Sequence, residues 1–165
     1  MMKEITPAEF LEELKRGRWK FEDIIIDGDF FVDCSDMTFN NNLYIDNWVV
    51  GGDLHISGLH LRINGTFSFS NCRVIGRLIL DKVSSAFLFF RKAEISGGLC
   101  LRYVRAGDIS FDEVTTEKGV EFVYTSVDGQ VLCGKNLLLA LQSFFYFGRG
   151  VVIDGSALRE LVRSL

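Results

Sequence analysis

The 165-residue sequence predicts an all-β fold, a β-helix of about five coils with a short capping helix at each end. Three observations point there. Sixteen glycines, fifteen phenylalanines, a single proline and few alanines favour closely turned, pleated backbone over helix. A glycine followed by an apolar-x-apolar triplet recurs along the chain, and such self-similarity decides the fold before local propensity does. A second apolar position divides the later intervals, giving a spacing of five residues that fits neither a 3.6-residue nor a heptad period.

The amino-terminal helix is expected over residues 6–17. Thr6, Pro7 and Glu9 read as N-cap, first-turn proline and capping-box acid, and Phe10, Leu11 and Leu14 form an apolar stripe ending at Gly17. The repeat follows over residues 21–133. Its triplets begin at Phe30, Leu43, Leu54, Phe67, Leu78, Leu88, Leu99, Ile109, Val120 and Val131, in steps of 10 or 11 except for two early steps of 13. Val83, Ala93, Val104 and Val114 fill midpoints between them. Short strands separated by tight corners, with glycine at the bends, account for this ladder. Four sides make a coil of roughly 21 residues, and five coils stacked at about 4.8 Å form a column roughly 24 Å long.

Residues 134–165 are expected to cover the far end, because an open column exposes unpaired strand edges. Residues 136–147 are either a departing coil or a packed cover, and residues 151–153 read as a last strand. Ser156 heads a helix whose apolar face is Leu158, Leu161, Val162 and Leu165. The apolar excess over 136–165 fits either a capping layer within one chain or a homodimer contact.

Gly52-Asp53-Leu54, Ala86-Phe87-Leu88 and Ala106-Gly107-Asp108-Ile109 resemble the pentapeptide-repeat proteins, whose units carry an inward Leu or Phe at the centre and a small residue two places before it. The likeness covers residues 6–133 and includes a helix before the first coil, the family's usual cap. The small-residue slot is mostly glycine here and consecutive perfect units do not occur, so the chain resembles a divergent member. The resemblance implies a right-handed quadrilateral β-helix. Because several members mimic DNA toward type II topoisomerases, it also implies an alternative function: a DNA mimic or nucleic-acid-linked regulator of a DNA-handling enzyme.

Charge is segregated along the chain. Residues 21–61 hold eight acids and no Lys or Arg, residues 62–105 hold eight basic residues against two acids, and residues 106–128 hold six acids against Lys118. In a solenoid, sequence order is axial order, so these become bands of net charge −8, +6 and −5. They read as a patterned partner surface or as a solvated exterior. A duplex presents one charge per 1.7 Å without interruption, so a column with a positive waist copies it poorly. Basic residues spread around a circumference likewise argue against direct nucleic-acid binding.

If each triplet's apolar pair points inward, its neighbours point outward. Phe87 and Phe89 then lie on the surface beside Arg91, with Leu88 and Phe90 in the core, and Phe31, Tyr44 and Ile79 are outward by the same rule. Paired surface phenylalanines mark a contact surface or one covered by another segment. With the acids Asp29, Asp33 and Asp53 they make the expected partner-binding set: Phe87, Phe89, Arg91, Ile79, Tyr44 and those three carboxylates.

Cys34, Cys72 and Cys133 fall in inward slots as inert core residues, and Cys100 in an outward slot as a half-exposed bystander. His55 and His60 lie on adjacent sides of one coil and lack the third ligand of a catalytic zinc site. No phosphate-binding loop, nucleophile elbow or HExxH occurs. Neither a run of eighteen apolar residues nor a secretory leader pattern is seen. The expected protein is therefore a cytoplasmic, non-enzymatic protein-protein interaction module, without cofactor or metal, whose partner is another protein.

Overall fold

Alternation of inward and outward residues, broken by a corner about every five residues, winds the described residues into a right-handed parallel β-solenoid of about six turns. The structure, a computed structural model, describes residues 2–40, 42–62 and 64–132 and the backbone of Cys133 and of the strands Phe145–Phe147 and Val152–Ile153, so the inward slot expected for Cys133 lies outside the described side chains. The first side stacks Phe30–Asp33, Leu54–Ser57, Leu78–Asp81, Leu99–Arg102, Val120–Val123 and Phe145–Phe147 in one parallel sheet. The third side stacks the starts of Lys20–Ile26 and Leu43–Val50, then Thr66–Ser70, the ends of Ser84–Arg91 and Arg105–Asp112, and Val131–Cys133. Shorter bridges such as Arg73–Val74 and Glu94–Ile95 build the sides between.

The count of about five coils is corrected to six. Lys20–Ile26 precedes the first triplet and Phe145–Phe147 follows the last, and neither carries the glycine signature by which the triplets were found. The two steps of 13 also have a cause. Register partners lie 24 residues apart in the early turns (Phe30 on Leu54, Leu54 on Leu78) and 21 apart in the next two (Leu78 on Leu99, Leu99 on Val120). In the turn that starts at Leu54, just before Thr66, Gly65 N–H donates to Arg62 C=O at 2.7 Å and Asn64 takes φ +74°.

Glycine at the bends needs a second correction. Among the described residues, nine non-glycine positions take positive φ, including Lys82, Lys92, Tyr103, Glu113 and Tyr124. Left-handed backbone is unfavourable for such residues by about 1–2 kcal/mol each. Here it aims their N–H groups at the next turn: Lys82 donates to Arg102 C=O at 2.9 Å, Lys92 to Asp112 at 2.8 Å and Tyr103 to Val123 at 2.9 Å. Several glycines serve instead where turns approach too closely for a side chain. A Cβ on Gly52 or Gly76 would collide with the Asp29 or Asp53 carboxylate of the preceding turn. Correspondingly, Gly52 and Ala86, the small residues two places before Leu54 and Leu88, sit half-buried at corners and not in the core.

The core is a single apolar column, with Leu, Ile, Val and Phe pairs such as Leu88 and Phe90 pointing inward on each side. Helix Pro7–Lys15 closes its amino-terminal end. Thr6 accepts from Glu9 N–H while Glu9 accepts from Thr6 N–H at 2.8 Å, the expected capping box, and these bonds hold the Glu9 carboxyl below its usual range. Phe10 and Leu14 are buried against the first turn, and Lys3–Glu4 pairs with Ile24–Ile25 along its edge. At the other end, Val152–Ile153 pairs with Ser126–Val127. The cover or coil over 136–147, apart from its last strand, the helix from Ser156 and the homodimer contact through 136–165 fall outside the described residues.

Candidate interaction surface

The eight expected contact residues divide between two sides of the column. Tyr44, Phe87, Phe89 and Arg91 share the third side, whereas Asp29, Asp33, Asp53 and Ile79 share the first. No single flat surface holds them all.

On the third side, parallel register stacks outward residues into rungs. Tyr44 and Asp46 face Ser68 and Ser70, which face Phe89 and Arg91, which face Ser110 and Asp112. The phenylalanine rung stands between two rungs of short polar side chains. Its rings are stacked, with centroids 6.0 Å apart and planes within 2°. Phe89 is 38% exposed, Tyr44 is 39% exposed and Phe87 is half-buried, so an apolar ridge projects from an otherwise hydrophilic face. Asn42 fixes this geometry twice: its Oδ1 accepts from Thr66 N–H at 2.9 Å, and its Nδ2 donates to the Tyr44 hydroxyl at 2.8 Å.

Below the ridge lies a furrow of about 370 Å³. Tyr44 and Asp46 form one wall, Arg91 and Lys92 the other, with Ser68 and Ser70 between them. Lys20 closes the lower end. Arg91 also reaches Asp112 at 3.4 Å, Lys92 reaches Glu113 at 4.0 Å and Lys20 reaches Glu22 at 2.6 Å, all pairs being solvent-exposed.

On the first side, the acids are engaged within the fold. Asp29 Oδ1 accepts from Asp53 N–H, and Asp53 Oδ1 from Arg77 N–H, both at 2.7 Å, so each carboxylate ties its turn to the next. Asp33 accepts from the backbone and hydroxyl of Ser35 and from Ser57, which holds its carboxyl below the usual range. Outward in the same sheet, Phe31 is 53% exposed and packs edge-on against His55, followed by half-buried Ile79 and then Cys100. The His55 Nε2 beneath is buried without a hydrogen-bond partner.

Cys100 corrects the sequence reading. It occupies its outward slot but is only 6% exposed, and burial together with the Glu121 carboxylate pushes its thiol up. Burial raises Cys34 and Cys72 to about 12, in keeping with inert core thiols. His60 is exposed, with Nδ1 3.4 Å from the Ser84 hydroxyl, on the side next to that of His55. Among the described residues no cluster of three His, Cys, Asp or Glu is placed to hold a metal ion.

Two exposed aromatics escaped the sequence reading. Tyr103 and Tyr124 stack with centroids 5.0 Å apart and planes within 1° at one left-handed corner, above Lys82 in the preceding turn. The signal was available. All three directly precede an inward residue (Val83, Val104, Thr125) and recur every 21 residues, which assigns them to one column.

The basic band is tied to the acidic band above it, where Arg77 meets Glu121 at 3.3 Å and Arg91 meets Asp112, and within the basic band Arg102 holds Asp81 through two bonds of 3.2 and 3.0 Å. Bands one to two turns tall, about 5–10 Å, are also comparable with the Debye length of about 8 Å at physiological salt, so their fields largely cancel at a distance. Asp81 is the most buried of these carboxylates. Arg102→Ala is expected to destabilise the fold by about 1–3 kcal/mol in urea denaturation, since it leaves that carboxylate unpaired. Arg102→Lys should recover part of the loss; equal stability of Arg102→Ala and the parent would show the pair to be neutral. No protein-family model, curated protein or solved structure matches the chain.

Proposed function

We propose that the chain is a non-enzymatic protein-interaction module that binds another protein through its third side, with Phe87 and Phe89 as the central contact. The observation that carries this reading is the stacked, solvent-facing phenylalanine pair between polar rungs. Nothing in the core requires apolar side chains there, and aromatic groups dominate contact energetics when a partner buries them. Tyr44 and Arg91 extend the contact below and beside the ridge. Ile79, Asp29, Asp33 and Asp53 are better read as scaffold, because they sit on another side and the three acids already satisfy groups of the fold.

The reading includes a divergent pentapeptide-repeat-type coil, supported by two inward residues per five and by four-sided turns. It also includes a cytoplasmic setting, supported by the free thiols of Cys34, Cys72 and Cys100. Among the described residues no helix is long and apolar enough to cross a membrane. The DNA-mimic alternative has less support: Asp23, Asp29, Asp33, Asp46 and Asp53 all accept hydrogen bonds within the fold, and the positive waist interrupts the acidic surface.

The test is retention of proteins from nuclease-treated lysate on the parent chain and on Phe87→Ser/Phe89→Ser. A defined partner should be retained by the parent and lost, by about tenfold or more in affinity, from the variant. Undiminished retention by a variant with parental circular dichroism would remove this surface from the reading.

A further inference from the structure

The furrow beneath the phenylalanine ridge has its own chemistry. Its lining holds three cations, Lys20, Arg91 and Lys92, against one carboxylate, Asp46, which already accepts from Asn71 Nδ2 at 2.7 Å. The acids that pair with the cations, Glu22, Asp112 and Glu113, do not line it. Exposed pairs of that kind contribute about 0–1 kcal/mol, so an incoming carboxylate competes with them on even terms. The wall strands are two rungs apart, about 10 Å from backbone to backbone, over a floor of short side chains, a spacing that admits one extended chain lying along the rungs. Along the upper rung, Phe89 and Arg91 are two residues apart, the same period at which an extended chain returns a side chain to one face.

We infer that the furrow receives an extended acidic segment of the partner protein, with an apolar side chain against Phe89 and Tyr44 and, two residues away, a carboxylate at Arg91 and Lys92. This rests on the third side being the contact surface and specifies what it recognises. Apolar contact supplies affinity and the carboxylate fixes register and orientation, while the cation pair disfavours basic segments.

The test is selection of random dodecapeptides displayed on phage against the full-length chain, followed by titration of the selected peptides in synthetic form. The selected peptides should be enriched in an acid two positions from an aliphatic or aromatic residue, in either chain direction. Their affinity should fall about tenfold in Arg91→Glu/Lys92→Glu and also weaken as salt rises from 0.05 to 0.3 M, on the order of one Debye-screened ion pair or more. Arg105→Glu, an exposed cation on another side, serves as the control and should bind as the parent does. Enrichment of basic or uncharged peptides, or equal loss in Arg105→Glu, overturns the inference. Retained binding in the Arg91/Lys92 variant combined with loss in Phe87→Ser/Phe89→Ser overturns it too, while leaving the aromatic surface standing. Retained binding in both variants overturns both.

Discussion

Replacing Gly97 by alanine should destabilise the column by about 3 kcal/mol or more, enough to lower the melting temperature by roughly 10 °C in a chain of this size. The residue's φ is not positive, so conformational freedom is not the issue. Space is. A Cβ there would stand 2.5 Å from Gly76 O and 2.7 Å from Arg77 N, both backbone atoms of the preceding turn. Such atoms cannot swing aside as a flexible side chain can. Relief requires the two turns to separate, which stretches the Gly97 N–H bond to Gly76 C=O, now 2.8 Å, and the neighbouring Ser96 bond to Val74 C=O, now 3.0 Å. Gly28 supplies the comparison: an added Cβ meets nothing within 4 Å, but φ is +105°. Gly28→Ala therefore isolates the conformational term, about 1 kcal/mol. Thermal unfolding of both variants distinguishes the causes. If Gly97→Ala melts no lower than Gly28→Ala, close approach of the turns is not what selects glycine there.

That contrast also marks how far the sequence could be read. Inward positions such as Leu78, Leu88, Leu99 and Ile109 were legible because a coil of fixed length repeats them, and burial enforces each repeat independently. The outward alternation at Phe87, Phe89 and Tyr44 followed from the same period. Glycine was ambiguous because two different demands select it, left-handed backbone at Gly98 and turn-to-turn clearance at Gly97, and adjacent letters do not separate them. Lys82 and Tyr103 hid the real corners, since their left-handed backbone is stabilised by bonds to a turn 20 residues away. Cys100 was misjudged for a similar reason. Its slot is outward, but its cover comes from neighbouring turns, including Glu121 of the next. The roles of Asp29 and Asp53 likewise depend on partners 24 residues distant, whereas composition shows only an acidic band.

Trp48→Ala should cost about 3–5 kcal/mol, and the damage should be concentrated at the amino-terminal end. Trp48 is fully buried where the helix meets the first turns. Its indole meets the rings of Phe10 and Phe30 edge-on, each at 5.7 Å, and that of Phe21 at 6.4 Å, and its Nε1–H donates to Phe21 C=O at 3.2 Å. Removal opens a cavity among three aromatic rings and also strips that carbonyl of its indole donor. In a solenoid each turn contacts only its neighbours, so stability is a sum of local terms and loss at one end need not spread. Hydrogen exchange should therefore show protection falling first in helix Pro7–Lys15 and strand Lys20–Ile26, while strands from Leu78 to Val127 keep most of theirs. With the helix loosened, the edge of the first turn is uncovered, and edges of this kind pair with other chains. Concentration-dependent association of Trp48→Ala, relieved in part by Trp48→Phe, is the accompanying expectation. Uniform loss of protection across all turns would mean that the column unfolds as one cooperative unit and that the helix is not a separable cap.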